Sequence, residues 1–391
     1  MAKDFSGLVA ALESAGADGY LLDADGSTAN QYYLSVFSAP DPFLTLFTPD
    51  ETAILTSPLE YSRAREESRA DTVRRWGDYD YRDKRDTHGQ DRARELVLGE
   101  FLAEFGVESV LTDRRFPLYT ADGIRREGHE VQADLEDAIE GLRATKSAAE
   151  IDHVQAAQRA NEAAMAAAED LMTAATVGPD DVLQLEGDPL TSERLKSEIE
   201  RTLLDRGYAM DQTIVASGPD GALPHERGSG PIAVDEPVIV DIFPRSKETG
   251  YHADMTRTFL RGEPDPEIRT FYDLTQEAKA AAIDAVEPGV TGEAVHDAVC
   301  DVYEDAGYPT LRTDESTETG FIHSTGHGVG LEVHEQPSIG PGGEPLEPGN
   351  VITIEPGLYD PAVGGVRIED LLVVTEDGAR NLTDYPEQLV L

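Results

Sequence analysis

The chain has 391 residues, 39% of them hydrophobic, enough for two ordinary domains with cores of their own. Its 77 acidic residues outnumber 32 basic ones, giving a net charge of −45, and such a surface repels nucleic acid. No run approaches the roughly twenty apolar residues of a membrane-spanning helix. The single cysteine, Cys300, excludes an intramolecular disulfide framework and fits a reducing cytoplasm.

The negative charge is spread along the whole chain rather than gathered in a tail. High net charge alone also fits disorder. Regular apolar periodicity and frequent glycine turns argue instead for a folded chain adapted to high salt, where ions screen self-repulsion over a few ångströms. The bias resembles that of proteins from salt-accumulating halophiles.

In chain order, MAKDFSGLVAALESAG is amphipathic and acidic, which predicts a first helix rather than a targeting segment. DGYLLDA, NQYYLSVF, FLTLFTP and TAILTS read as strands. RARELVLGEFLAEFG reads as a helix and SVLTDRR as a further strand. Residues 1–143 are thus expected to form an α/β domain. They contain neither GxGxxG nor GxxxxGK[ST], so a scaffold or a substrate-restricting role suits them better than cofactor binding. A boundary falls near Arg143–Ala149. Ser147, with Glu150 three residues on, forms a capping-box signature before the long helical pattern AAEIDHVQAAQRANEAAMAAAEDLMTAA. Thr176–Asp188 is expected as a surface loop or short helix, and SERLKSEIERTLLDRGY as a helix. QTIVASG, PVIVDIF, YHADMTRTFL, NVITIEPGLY, GVRIEDLLVV and RNLTDY read as strands. Two helical patterns, PEIRTFYDLTQEAKAAAIDAV and EAVHDAVCDVYEDAG, interrupt them. The second part of the chain is therefore α+β.

Five residues of this second part carry most of the chemical information: Asp241, Asp254, His327, Glu355 and Glu369. Four carboxylates and one imidazole are the donor set of a site for two divalent ions, with hard oxygens suiting Mn²⁺, Mg²⁺ or Co²⁺. Paired ions with water between them imply hydrolysis. PVIVDIFPRSKETGYHADMTRTF reads as a hairpin with SKETG as its turn, Asp241 near the end of one arm and Asp254 in the other. A hairpin with solvent-facing acids satisfies the same pattern. In FIHSTGHGVGLEVHEQP, His323, His327 and His334 fall within twelve positions. The glycines there oppose a helix and let the backbone pass close to a ligand or another strand. A lone histidine would more often be structural; three amid glycines favour function. Glu355 ends an apolar strand. Arg367 and Glu369, two apart, are expected to share a face of one strand, although an ion pair alone would also explain them. Asp370 then points the other way, exposed or structural.

The ordered motifs DIF…YHADMTRTF, HSTGHGVGLEVHE, ITIEPGLY and GVRIEDLLVV resemble the creatinase/methionine aminopeptidase (M24) superfamily of metallopeptidases, with its pita-bread fold. Within it the chain looks most like prolidase (Xaa-Pro dipeptidase) and aminopeptidase P. The likeness is strong over residues 143–391 and weaker in RATKSAAEID and YYLSVF. It implies an α+β pita-bread domain at 144–391, preceded by a smaller creatinase-like α/β domain at 1–143. It also implies metal-dependent exopeptidase action on Xaa-Pro bonds in a cytoplasmic homodimer, with two divalent ions, Mn²⁺ foremost and Co²⁺ or Zn²⁺ as alternatives.

Carried over by position, Asp241 would chelate one ion, His327 and Glu355 the other, and Asp254 and Glu369 would bridge both. Glu355 would also act as general base. His225, in SGPDGALPHERG, matches a histidine that binds or protonates the substrate, and His334 one near the scissile carbonyl. His323 and Arg367 match positions behind the ligands or on the substrate side. His88, His129, His153 and His296 match nothing and are expected at the surface. The turn between the two aspartates is two residues longer than is usual in the family. An even addition, one residue per arm, leaves both aspartates on one face. The resemblance also admits aminopeptidase P action on longer peptides, a creatinase-like C–N hydrolase without metal, or a non-catalytic binding relative. The complete ligand set speaks against the last two.

Overall fold

Strand-forming runs and amphipathic helices organise the chain into two units in the computed structural model, Met1–Arg143 and Ala144–Leu391. Residues 4–210 and 212–391 are described. The first three residues of the predicted opening helix lie outside them, and the helix itself runs Ser6–Ala15.

In the first unit a six-stranded mixed sheet has the order Thr72–Arg75, Thr52–Thr56, Phe43–Phe47, Gly19–Ala24, Ser109–Thr112, Glu130–Ala133. Leu21, Leu44, Leu55, Val97, Phe101 and Ile124 pack into its core. NQYYLSVF does not form the expected strand; Ala29–Ser35 is a helix. Its aromatic, β-favouring composition is overridden by packing. Asn30, Gln31, Tyr33 and Leu34 are all buried, and the Gln31 amide donates to the Phe43 carbonyl at 2.9 Å. Propensity yields to tertiary contact in so short a segment.

The second unit opens with the 27-residue helix Ala148–Ala174. Its predicted capping box is present: the Ser147 hydroxyl accepts from the Glu150 amide, and the Glu150 carboxylate accepts from the Ser147 amide at 2.9 Å. Thr176–Asp188 contains a short 3₁₀ helix, Pro179–Asp181, but it is set among strands that were not expected. Thr176–Val177, Leu183–Leu185 and Asp188–Pro189 pair as a small antiparallel sheet. Helix Ser192–Leu204 packs with the long helix over the antiparallel sheet of Ile214–Ser217, Val238–Ile242 and Met255–Phe259, enclosing Met165, Ile199, Val240 and Phe259. A second half repeats the plan. Helices Pro266–Ala285 and Gly292–Asp305 cover a five-stranded antiparallel sheet, ordered Glu335–Ile339, Gly326–Gly328, Val351–Ile354, Asp370–Thr375, Gly378–Asn381. Phe271, Val299, Ile352 and Leu372 lie in that core. Among the described residues no helix is long and apolar enough to cross a membrane.

The two halves are laced together beside their chemistry-bearing residues. The Glu369 amide donates to the Thr256 carbonyl at 3.0 Å, and the Arg367 amide to Thr258 Oγ1 at 3.0 Å. Arg257, 1% exposed, bonds to the Glu369 carbonyl at 2.6 Å and to Asp370 Oδ1 at 2.9 Å. Lys279 and Asn381 also hold Asp370, at 2.6 and 2.8 Å. Asp370 is therefore buried and structural, the second of the two outcomes open to it.

Candidate metal centre

Asp241 and Asp254 come from the hairpin whose arms pair with Asp241 opposite Thr256 and Ile242 opposite Met255. Asp254 immediately precedes its strand, Met255–Phe259, rather than lying within it. It is two residues from Thr256, so strand alternation puts both aspartates on one face. The turn between them keeps that parity.

His327 sits in the short strand Gly326–Gly328. A Cβ at Gly326 would lie 2.0 Å from the Thr353 carbonyl oxygen, and one at Gly328 2.1 Å from that of Gln336. Only glycine admits strands this close on both sides of the histidine. His327 Nδ1 lies 3.1 Å from the Gly328 carbonyl, which can only accept, so Nδ1 carries the proton and Nε2 is turned towards the carboxylates. Nε2 stands 3.3 Å from Glu355 Oε1 and 3.8 Å from Asp254 Oδ2. Glu355 follows the strand Val351–Ile354. Arg367 ends the strand Gly364–Arg367, whereas Glu369 precedes Asp370–Thr375 in another sheet. The two therefore do not share one strand as expected: the chain changes sheets between them, and both still line the same cleft.

This cleft, of about 900 Å³, brings together all nine predicted site residues: His225, Asp241, Asp254, His323, His327, His334, Glu355, Arg367 and Glu369. Asp254, His327 and Glu369 each offer a donor atom within 4.8 Å of the other two. Three of the acids also have protein partners: Asp241 Oδ2 receives Arg367 Nη2 at 2.7 Å, Glu369 Oε2 accepts from Thr256 Oγ1 at 2.9 Å, and Glu355 faces His327.

The electrostatics favour a bound cation over four bare charges. Burial, then the neighbouring Glu369 and Asp241 charges, push Asp254 well above its ordinary range. Burial with Glu355 and Asp241 does the same to Glu369. Burial also raises Asp241, although Arg367 opposes it. For Glu355 burial is outweighed by the hydrogen bond and charge of His327, which hold it at about 2. Asp241 Oδ1 and Asp254 Oδ1 are buried without a protein hydrogen-bond partner. Crowded, desolvated carboxylates with orphaned oxygens and an imidazole of fixed tautomer fit divalent cations.

Behind the acids runs a chain of hydrogen bonds from His323 to Arg367. His323 Nδ1 lies 2.7 Å from the Ser324 carbonyl and so carries the proton. Its Nε2 therefore accepts from the Tyr359 hydroxyl at 2.9 Å, and that hydroxyl accepts from Arg367 Nη1 at 3.0 Å. Burial drops the His323 pKa to about 4, so the ring stays neutral. His334 packs edge-on against His327, with ring centroids 4.2 Å apart.

Sequence reading missed Tyr359, which links His323 to Arg367, and it missed Arg245 and His252, which line the cleft. The signal for His252 was its two-residue spacing from Asp254. His296 is not at the surface: it is 5% exposed, and its Nδ1 lies 2.9 Å from Thr325 Oγ1. Positions 296, 299, 300 and 303 share the buried face of their helix. His88 is exposed, His129 and His153 are half-buried, and none of the three lines the cleft.

A two-half α+β unit with acids and one oriented histidine in a shared cleft defines a metal-dependent hydrolase architecture. The chain belongs to metallopeptidase family M24, which it matches over residues 152–376, and residues 6–145 match the creatinase/prolidase N-terminal domain. It is 31% identical over 364 residues to the Xaa-Pro dipeptidase of Pyrococcus furiosus, covering 92% of each chain. It is 38% identical over 203 residues to the probable dipeptidase PepE of Mycobacterium bovis, a match spanning about half of each protein, 51% and 52%. Among solved structures, the Pyrococcus horikoshii prolidase superposes with a TM-score of 0.79 at 27% identity, covering 98% of this chain and 99% of the other.

Proposed function

We propose that the protein is a dinuclear-metal exopeptidase cleaving Xaa-Pro bonds. Residues 1–143 serve as a creatinase-like N-terminal domain and 144–391 as the peptidase domain. The observation that carries this reading is the buried carboxylate cluster with two oxygens lacking any protein partner. The dipeptidase and prolidase names of the relatives support the substrate class. Asp241, Asp254, His327, Glu355 and Glu369 would hold the ions. When bound, two such ions polarise the scissile carbonyl and acidify the attacking water.

The protein's own groups do the rest. Glu355, with Oε1 against His327, leaves Oε2 to take the proton of the attacking water and pass it to the departing nitrogen. The imidazole of His334, beside His327, donates to the carbonyl oxygen as charge develops there. His225, exposed at the cleft wall, holds the substrate. Arg367 fixes Asp241, and Tyr359 and His323 in turn fix Arg367. We further propose Mn²⁺ as the native ion, a cytoplasmic homodimer, and a high-salt habitat, the last supported by the −45 net charge.

The test is hydrolysis of Xaa-Pro dipeptides and Xaa-Pro-Xaa tripeptides in high KCl, after chelation and again after adding Mn²⁺, Co²⁺ or Zn²⁺. The chelated protein should be inactive and should regain activity with a divalent ion. Full activity at a verified metal content of zero would sink the reading.

A further inference from the structure

Beside the two aspartates, one wall of the cleft carries residues given no part in holding metal. On the outgoing arm of the hairpin Asp241, Phe243 and Arg245 all line the cleft, and on the returning arm His252 and Asp254 do so. Although the regular strand ends at Ile242, every second residue from Asp241 to Arg245 still faces the cleft. A row therefore runs outward from the carboxylates: an acid, an aromatic ring, a guanidinium. The arms stay paired along it, since the Ala253 amide donates to the Pro244 carbonyl at 3.1 Å and Arg245 bridges to His252. The strand of Asp241 ends at Ile242, and after Phe243-Pro244 the chain resumes as Arg245–Ser246, paired with Tyr208–Ala209; four residues of near-extended chain put Arg245 at most roughly 13 Å from Asp241, and its long side chain lines the same cleft.

Arg245 is uncommitted in a protein with more than twice as many acids as bases. Its Nε donates to the Gly250 carbonyl at 3.3 Å, and no carboxylate pairs with the guanidinium among the described residues. Gly250 has φ of +77°, which a side chain would strain, so the turn that presents this carbonyl depends on glycine. The cleft's buried arginine, Arg367, is already taken by Asp241 and Tyr359. A substrate carboxylate is repelled by the surface as a whole and needs a fixed local cation to dock. Only Phe243 separates the ligand row from the guanidinium on that face, which leaves room for one residue beyond the scissile bond.

We infer that Arg245, supplied by the hairpin, is a specificity-determining residue that binds the free C-terminal carboxylate of a dipeptide, with Phe243 covering the side chain of the residue that bears it. This rests on the Xaa-Pro reading above.

The experiment compares Ala-Pro, Ala-Pro-amide and Ala-Pro-Ala as substrates for the Mn²⁺-loaded wild type, Arg245→Gln and Arg227→Gln, in molar KCl. Calorimetry of proline and prolinamide binding to the same proteins gives a readout independent of turnover. A charge-assisted contact of this kind is worth about 10- to 100-fold. Arg245→Gln should therefore lose the preference for acid over amide by about that factor, through KM, and should bind proline correspondingly more weakly. Arg227→Gln, altered at the exposed cleft arginine, should keep the preference. An unchanged acid-to-amide ratio in Arg245→Gln, its loss in Arg227→Gln instead, or a wild-type preference for the tripeptide would each overturn the inference. If the wild type cleaves none of the three, the Xaa-Pro reading fails, and proline binding alone then decides on Arg245.

Discussion

Arg257→Met should separate the scaffold of the site from its chemistry. Arg257 lies on the strand that follows Asp254, and neighbours on a strand face opposite ways. It is 1% exposed. Its guanidinium makes five hydrogen bonds, to the carbonyls of Thr256, Glu369, Tyr385 and Pro386 and to Asp370 Oδ1, at 2.6–3.1 Å. Methionine keeps much of the stem's packing but none of the donors. Asp370 retains Lys279 and Asn381, so its charge is not stranded. The Thr256 carbonyl keeps the Glu369 amide, but those of Glu369, Tyr385 and Pro386 lose the arginine with no such substitute. Breaking a buried pair typically costs about 3–5 kcal/mol, and the unpaired carbonyls keep the cost in that range despite the surviving partners of Asp370. For a unit of this size each kcal/mol moves the melting point by about 2–4 °C, so a fall of about 6–20 °C is expected. Releasing the Glu369 carbonyl also loosens a proposed metal ligand, and metal affinity should drop about 10- to 100-fold. The assays are thermal unfolding in molar KCl followed by circular dichroism, and metal titration of the folded variant. A loss below about 1 kcal/mol with unchanged metal affinity would refute the argument that this arginine holds the ligand strand in place.

Two further outcomes are expected. With a net charge of −45, transfer from molar KCl to low salt should lower both ellipticity and activity through unscreened carboxylate repulsion; an unchanged melting temperature would refute halophilic adaptation. Glu355→Ala should lose nearly all turnover and weaken one metal, whereas His334→Ala should keep two metals while losing about 10²–10³ in rate. Elemental analysis beside the rate on an Xaa-Pro dipeptide checks this: metal loss in His334→Ala as severe as in His327→Ala would mean that the wrong histidine was placed on the ion.

Much of the candidate site was legible before any coordinates, because ligand chemistry is written in residue type and strand parity. Isolated acids inside apolar strands, and a histidine flanked by glycines, are costly unless something compensates them. The capping box at Ser147 was equally local: two side chains and two amides within four residues. What the sequence could not decide were choices made by distant partners. NQYYLSVF has strand-like composition, yet it became a helix because the neighbouring strand carbonyl of Phe43 and the buried faces of Asn30 and Leu34 reward that form. His296 looked like surface until the helix turned it towards Thr325. Arg367 and Glu369 looked like one strand until the chain changed sheets between them. Arg245 carried no motif at all; its place on the cleft wall, and the lack of a carboxylate partner for it among the described residues, exist only once the hairpin is folded. Periodicity and ligand type are local properties of the chain, whereas burial, pairing and free charge are settled by what the rest of the fold brings alongside.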